Sequence, residues 1–399
     1  MKTCHLCIAP RVETLVDFGR QPICNRFPKT AREPEATFPM LLEQCQACGL
    51  VQTTQPVPAA ELRPRVDWIT YNEPEGHLDK VADKVAALPE LTRASVFGGI
   101  SFKDDTLLRR MRERGFASTW RLDPKADLGI NDPGVGVETI QDRLTPAAAR
   151  SIAAARGRAD LLFVRHIFEH THQPAQFAAA LKELTKPGGY VLLEVPDCER
   201  ALEMCDYSTL WEEHVLYFTP VTFRQSFGQC GFSLTSFDCF PYPLENCLVG
   251  IGRVESEVHA KPSPDLLDGE TRRAQHFSRS LAGRAERYQR FLADYARTRG
   301  PVAIFGAGHL ACTFINLLGL KEYIEFLVDD HPCKRGLFMP GSRLPIMGTS
   351  ALVERGIKLA LLTVAIESEE KVIQKNQAFA QAGGAFASIF PASRHALKI

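Results

Sequence analysis

The chain has 399 residues, which at about 100–200 residues per domain implies two to four domains and excludes a single small module. Apolar residues make up 45% and charged residues 24%, an ordinary globular composition that argues against long disorder. Lysine plus arginine and aspartate plus glutamate both number 47, so no bulk field draws the chain to nucleic acid or anionic lipid, and neither is expected as a partner.

Met1-Lys2-Thr3-Cys4-His5 opens without an apolar stretch of the signal-peptide kind. The longest nearly uncharged run, Pro301 to Leu320, is broken by Gly306, Gly308, His309 and Asn316, which suits strand, turn and helix better than a membrane span. A cytoplasmic protein is expected, and its twelve cysteines then belong to a reducing compartment where paired motifs bind metal. Cys4-His5-Leu6-Cys7 and Cys45-Gln46-Ala47-Cys48 are two such pairs. Zinc takes four tetrahedral ligands, and each pair offers two thiolates from one tight turn. Four thiolates leave no open coordination position, so Cys4, Cys7, Cys45 and Cys48 are expected to hold a structural zinc in a small lobe spanning residues 1–72.

Residues 73–255 read as an α/β domain of the Rossmann kind. Helical spacing over Leu78–Leu91 precedes Ala94-Ser95-Val96-Phe97-Gly98-Gly99, a short buried strand running into a glycine turn. A helix through Leu107, Leu108 and Met111 follows, then a second strand at Arg121-Leu122-Asp123. An acidic residue at that strand end can accept hydrogen bonds from ribose hydroxyls, which marks Asp123. Asp160–Val164 is another buried strand, Gln173–Leu184 a helix, and Lys186-Pro187-Gly188-Gly189 a turn into the strand Tyr190–Pro196. His166, His170 and His172 lie on the loop after the Asp160 strand, where open α/β sheets bind ligands. His166 and His170 stand four apart, but no third metal ligand is evident beside them, so they are expected to line a cofactor or substrate site.

Residues 256–399 read as a second Rossmann-like unit. Asp265–Arg299 is amphipathic, with Phe277, Leu281, Tyr288, Phe291, Leu292 and Tyr295 on one face, as in a helix packed against the body of the protein. Pro301–Ala311 fits strand, G-x-G-x-x-A turn and helix, and Asp329 ends the next strand about twenty residues on, where a ribose reader sits in dinucleotide folds.

The order of strand, glycine turn, helix, acidic strand end and Lys-Pro-Gly-Gly turn is similar to that of S-adenosylmethionine-dependent methyltransferases. The whole chain resembles the three-part sugar C-methyltransferases that act on nucleotide-linked keto-sugars. The resemblance rests on the two cysteine pairs, Gln21-Pro22 with Asn25, Glu213-His214-Val215-Leu216-Tyr217-Phe218, Asp329 to Gly336, and Pro340-Gly341-Ser342-Arg343-Leu344-Pro345-Ile346. It implies an S-adenosylmethionine site near Gly98, Gly99, Ser101, Asp123 and His166. It also implies a catalytic group in which His214 removes the proton beside the ketone, Glu213 orients it, Tyr217 donates to a substrate oxygen and His170 contacts the sugar. The C-terminal unit then helps to hold the nucleotide-sugar, with His309 at its helix start. The chain departs from the family where Gly99 replaces an acidic residue, Asp105 a glycine, Trp211-Glu212 a Tyr-His pair, and Leu244–Cys247 a Gly-Gly-Ser strand. Those departures keep open a non-catalytic or repurposed methyltransferase fold, and the C-terminal glycine turn keeps open an NAD(P)-linked oxidoreductase built on that unit. Oligomeric state is not legible.

Overall fold

The computed structural model describes residues 2–66, 68–69, 73–131, 134–255 and 264–399. The expected domain boundaries, after residues 72 and 255, fall against residues 70–72 and 256–263, which lie outside the described residues. The chain divides into two compact units. One comprises the chain up to Thr14, Leu42–Glu199 and Glu213–Arg272; the other comprises Leu15–Leu41, Arg200–Glu212 and Arg273–Ile399.

Strands β1 (Val12–Pro22), β2 (Thr37–Cys45) and β3 (Val51–Gln52) come first. The main sheet of the first unit then begins with β4 (Phe97–Gly99), β5 (Thr119–Arg121), β6 (Ala159–Arg165) and β7 (Thr185–Pro196). A two-residue strand β8 (Leu216–Tyr217) precedes β9 (Phe232–Phe240) and β10 (Cys247–Val254). The sheet order is β5-β4-β6-β7-β10-β9. The first four strands pair parallel, and β10 runs antiparallel to both β7 and β9. Alternate residues of β6 face opposite ways, as the strand period requires. Leu161 and Phe163 pack with the helices Leu78–Ala86 and Asp105–Glu113, while Leu162 and Val164 pack with Pro146–Arg156 and Pro174–Leu184. Helices on both faces explain why these strands read as unbroken apolar runs.

Two local differences from the sequence reading have physical causes. The first helix stops at Ala86, well before Leu91, because Pro89 cannot donate to a continuing ladder. Lys186–Gly189 do not precede β7 but lie inside it: the register passes from Ala159↔Thr185 to Leu161↔Tyr190, so these residues form a bulge. Gly188 sits at φ +74°, and a Cβ on Gly189 would lie 2.8 Å from the Asp160 carbonyl, which restricts both places to glycine.

In the first unit β3 pairs antiparallel with β2 (Glu43↔Gln52) and with β8 (Val51↔Tyr217). The second unit holds a five-stranded parallel sheet of β11 (Val302–Phe305), β12 (Leu327–Val328), β13 (Ile346–Met347), β14 (Leu359–Leu362) and β15 (Ala385–Ser388). Its order is β13-β12-β11-β14-β15, around a core that includes Phe305, Val328, Leu352 and Leu362. The amphipathic stretch forms the helix Pro264–Thr298, with Ala274, Phe277, Tyr288 and Leu292 buried. Among the described residues no helix is long and apolar enough to cross a membrane.

Candidate active site and zinc centre

The four paired cysteines converge, with all four sulfurs within 4.8 Å of one another. Cys4 Sγ lies 3.8 Å from Cys48 Sγ, and Cys7 Sγ 3.5 Å from Cys45 Sγ. Zinc–sulfur bonds of 2.3 Å in a tetrahedron place the sulfurs about 3.8 Å apart, so the cluster has the size and donor chemistry of a structural zinc site. Hydrogen bonds from Cys45, Cys48 and Cys7 hold the Cys4 thiol well below its ordinary range, against burial. The second knuckle turns at Gly49, whose amide donates to the Cys45 carbonyl at φ +77°. Directly after it, β3 hydrogen-bonds to the segment that carries the expected catalytic residues: Val51 faces Tyr217, and the Thr53 amide donates to the Val215 carbonyl at 2.9 Å. The zinc lobe therefore braces the strand that follows His214.

In the main sheet the chain leaves β4 toward β5 on one side and later returns to β6 on the other. Ligands of open α/β sheets bind beyond the strand ends at such a switch point. The loop there is organised by a single carboxylate. Asp104 Oδ2 accepts from the amides of Ile100 (2.7 Å) and Ser101 (2.9 Å), and Oδ1 from the amide of Arg165 (2.9 Å). Gly98, Gly99 and Ser101 are all turned inward. A Cβ on Gly98 would meet the Trp120 ring at 2.7 Å, one on Gly99 would meet Asp104 at 2.9 Å, and Ser101 Oγ accepts from the Lys103 amide. Asp123 is exposed at the end of β5, with Oδ1 capping the helix Pro124–Leu128 through the amides of Lys125 and Ala126. Phe102, at the loop tip, is 49% exposed.

Behind this loop lies a buried ionic network. The Arg165 guanidinium makes a bidentate pair with Glu194 (2.8 and 3.0 Å) and donates to the Lys103 carbonyl. His166 sits at φ +46°, a strained conformation for a residue with a Cβ, and its Nε2 lies 3.0 Å from Glu194 Oε1. His77 Nε2 lies 3.3 Å from the same oxygen. Burial opposes ionisation of Glu194, but Arg165, His166 and His77 together hold its carboxyl well below the ordinary range. Burial likewise opposes the His166 cation, and Glu73 with the other nearby partners lifts its pKa well above the ordinary value.

The next residues of the loop complete a second group. His170 Nδ1 pairs with Glu138 Oε1 at 3.2 Å, and its ring stands perpendicular to that of His214 with centroids 4.7 Å apart. Tyr217 lies 6.1 Å from His214, ring to ring. One carboxylate oxygen of Glu213, one of Glu138 and a ring nitrogen of His170 fall within 4.8 Å of one another. His170, Glu213, His214 and Tyr217 are thus brought to one place, with His214 the half-buried member. Burial works against a charged His170, but Glu138 and Glu169 raise its pKa above the ordinary histidine value.

The glycine turn of the second unit is built but closed. Asp329 accepts from the amide of Ala307 (2.8 Å) and of His331 (2.8 Å) and pairs with Lys334 (3.0 Å). Its carboxylate fastens the loop and does not stand open to a ribose. The Trp211 indole stacks on His309 at the helix start, with centroids 4.5 Å apart and planes 17° apart.

Sequence reasoning missed Glu138, Glu169, Arg165 and Glu194. Glu138 belongs to the helix Val137–Arg143, far upstream of its partner, and no spacing rule links them. Arg165 closes a strand whose centre, residues 161–164, is apolar, and a charge directly after that run was the one available signal.

Three family models match the chain: "Putative zinc binding domain" over residues 4–62, a methyltransferase domain over 103–236 and a C-methyltransferase C-terminal domain over 268–391. The C-methyltransferase NovU of Streptomyces niveus is 22% identical over 405 residues, covering 98% of this chain and 96% of that protein. Two similar solved structures each cover less than half of this chain. One is a 1,6-didemethyltoxoflavin-N1-methyltransferase of Burkholderia thailandensis with bound S-adenosylhomocysteine: 14% identity, TM-score 0.31, 46% of this chain and 80% of that one. A SAM-dependent methyltransferase of Aquifex aeolicus matches at 11% identity and TM-score 0.30, over 46% of this chain and 94% of that one. Superpositions this loose carry no function across.

Proposed function

We infer, for a chain that belongs to the family of C-methyltransferases built from a zinc-binding domain, a methyltransferase domain and a C-methyltransferase C-terminal domain, that it places a methyl group on a carbon of a nucleotide-linked keto-sugar in the cytoplasm. The convergence of His170, Glu213, His214 and Tyr217 carries this reading. Carbon methylation beside a ketone requires a base for the α-proton and a donor for the enolate oxygen. His214 is the base, held edge-on to His170. The imidazolium of His170, kept charged by Glu138, faces the developing negative charge. Tyr217 donates to a substrate oxygen, and Glu213 completes the polar wall.

S-adenosylmethionine, when bound, supplies the electrophilic methyl group. The loops that follow β4 and β6 suit a cationic ligand, because they carry buried carboxylates, one of which, Glu169, has an oxygen without a hydrogen-bond partner among the described residues. Gly98, Gly99 and Ser101 on the glycine loop, Asp123 beyond β5 and His166 just beyond β6 are the residues that would hold this ligand. Zinc, held by Cys4, Cys7, Cys45 and Cys48, is structural and fixes the lobe that carries β3. Residues 256–399 serve the nucleotide portion of the substrate.

Deuterium exchange tests the base directly. The protein in heavy water, with nucleoside-diphosphate keto-sugars and S-adenosylhomocysteine, is expected to exchange the proton beside the ketone. His214→Ala is expected to abolish the exchange while retaining S-adenosylhomocysteine binding. Unchanged exchange in that variant removes His214 from the role.

A further inference from the structure

We propose that Glu169 is the anion that receives the α-ammonium group of the bound methyl donor. The proposal rests on the S-adenosylmethionine reading above and assigns a residue to one end of that ligand. At the switch point the strand that ordinarily brings side chains to the ligand, β4, ends in Gly98-Gly99 and contributes no charge. An ammonium group binding there needs a carboxylate from elsewhere, because a buried cation is stable only when paired.

Most carboxylates nearby are committed. Glu194 is held bidentate by Arg165, Glu73 is paired with Lys103, and Glu138 with His170. Asp104 is spent on three backbone amides. Glu169 is less fully engaged, although it supports the charge of His170 and groups with His170 and His214, one ligand atom of each lying within 4.8 Å of the others. It is 1% exposed, its Oε1 lies 3.5 Å from His166 Nδ1 and 3.9 Å from His170 Nε2, and its Oε2 has no hydrogen-bond partner among the described residues. A carboxyl oxygen buried without a donor is costly, so a donor is expected to arrive with the ligand. The backbone points the same way: His166, at φ +46°, turns the chain sharply just beyond β6, and Glu169 follows three residues on, in the loop where open α/β sheets bind ligands. His166 also links the two ends of the network, lying 3.9 Å from Glu73, the partner of Lys103 in the loop.

Calorimetry with two ligands tests the assignment: S-adenosylhomocysteine and its deaminated analogue, which differs only in lacking the ammonium group. Wild-type protein is expected to bind the analogue about 10–100-fold more weakly, the worth of a buried hydrogen bond to a charged group. In Glu169→Gln that penalty should shrink to about two-fold or less, and in Glu169→Asp, which keeps the charge but draws it back, it should be intermediate. An equal penalty in wild type and both variants overturns the proposal, as does a wild-type protein indifferent to deamination. A wild type that binds neither ligand overturns the cofactor reading itself, a distinct outcome.

Discussion

Asp104 is the group on which the switch-point loop depends, and removing it gives a calculable loss. Its two oxygens satisfy the amides of Ile100, Ser101 and Arg165 at 2.7–2.9 Å, and Ile100, Ser101 and Arg165 are all buried. Asp104→Ala leaves three buried donors without acceptors. At about 1–3 kcal/mol for each stranded group, and with some relief from loop relaxation, the first unit should lose roughly 3–6 kcal/mol. That is a large share of the 5–15 kcal/mol, or about that, which holds an ordinary domain together. Asp104→Asn keeps one acceptor oxygen and should fall between. Urea unfolding followed by tryptophan fluorescence is a suitable assay, because Trp120 packs over Gly98 beside the loop and reports on it locally. The expected order is wild type, Asn variant, Ala variant, with S-adenosylhomocysteine binding lost in the last. An Ala variant within about 0.5 kcal/mol of wild type refutes the reasoning, since that is the range of an inconsequential surface change.

Other expectations follow from the same contacts. Atomic emission should find one zinc per chain, lost in Cys48→Ala; since such sites bind with about 10–16 kcal/mol, chelation should also strip hydrogen-exchange protection from Thr53, whose amide bonds to Val215. The pH dependence of stability has two limbs. Glu73, held down to about 2 by His166 and Lys103 against burial, stabilises the fold above 4.5 and loses that contribution as pH falls toward about 2. His166, raised well above 6.5, contributes fully below 6.5 and loses its contribution as pH rises through its folded value. Glu73→Gln should therefore flatten the fall of the urea midpoint on acidification. In the second unit, Asp329→Ala strands the amides of Ala307 and His331 and should lower the melting temperature measured by calorimetry by a few degrees or more, while NADH fluorescence shows no binding to either form.

The zinc centre was legible in full because all four ligands announce themselves by local spacing, and the structure needed only to bring two knuckles together. The strand and helix order was legible for a similar reason: β6 and the helix Pro174–Leu184 declare their periods within one window. The C-terminal glycine turn was legible, but the contacts of the acidic residue after it were not. Asp329 has the spacing of a ribose reader, and only the fold reveals that its oxygens are consumed by Ala307, His331 and Lys334. The proposed catalytic group shows the same limit. His170, Glu213, His214 and Tyr217 were read from resemblance, whereas Glu138 and Glu169, which decide the charge of His170, could not be. Partners separated widely along the chain leave no periodic trace, and a buried ion pair such as Arg165–Glu194 looks in sequence like an interruption of a strand.

The most direct test of the account is the fate of the transferred carbon. With methyl-13C S-adenosylmethionine and a panel of nucleoside-diphosphate keto-sugars, the product should carry the label as a C-methyl group, identified in the NMR spectrum by its coupling to a ring carbon. A label on oxygen or nitrogen, or its failure to move to any keto-sugar while the donor is bound, contradicts the assignment.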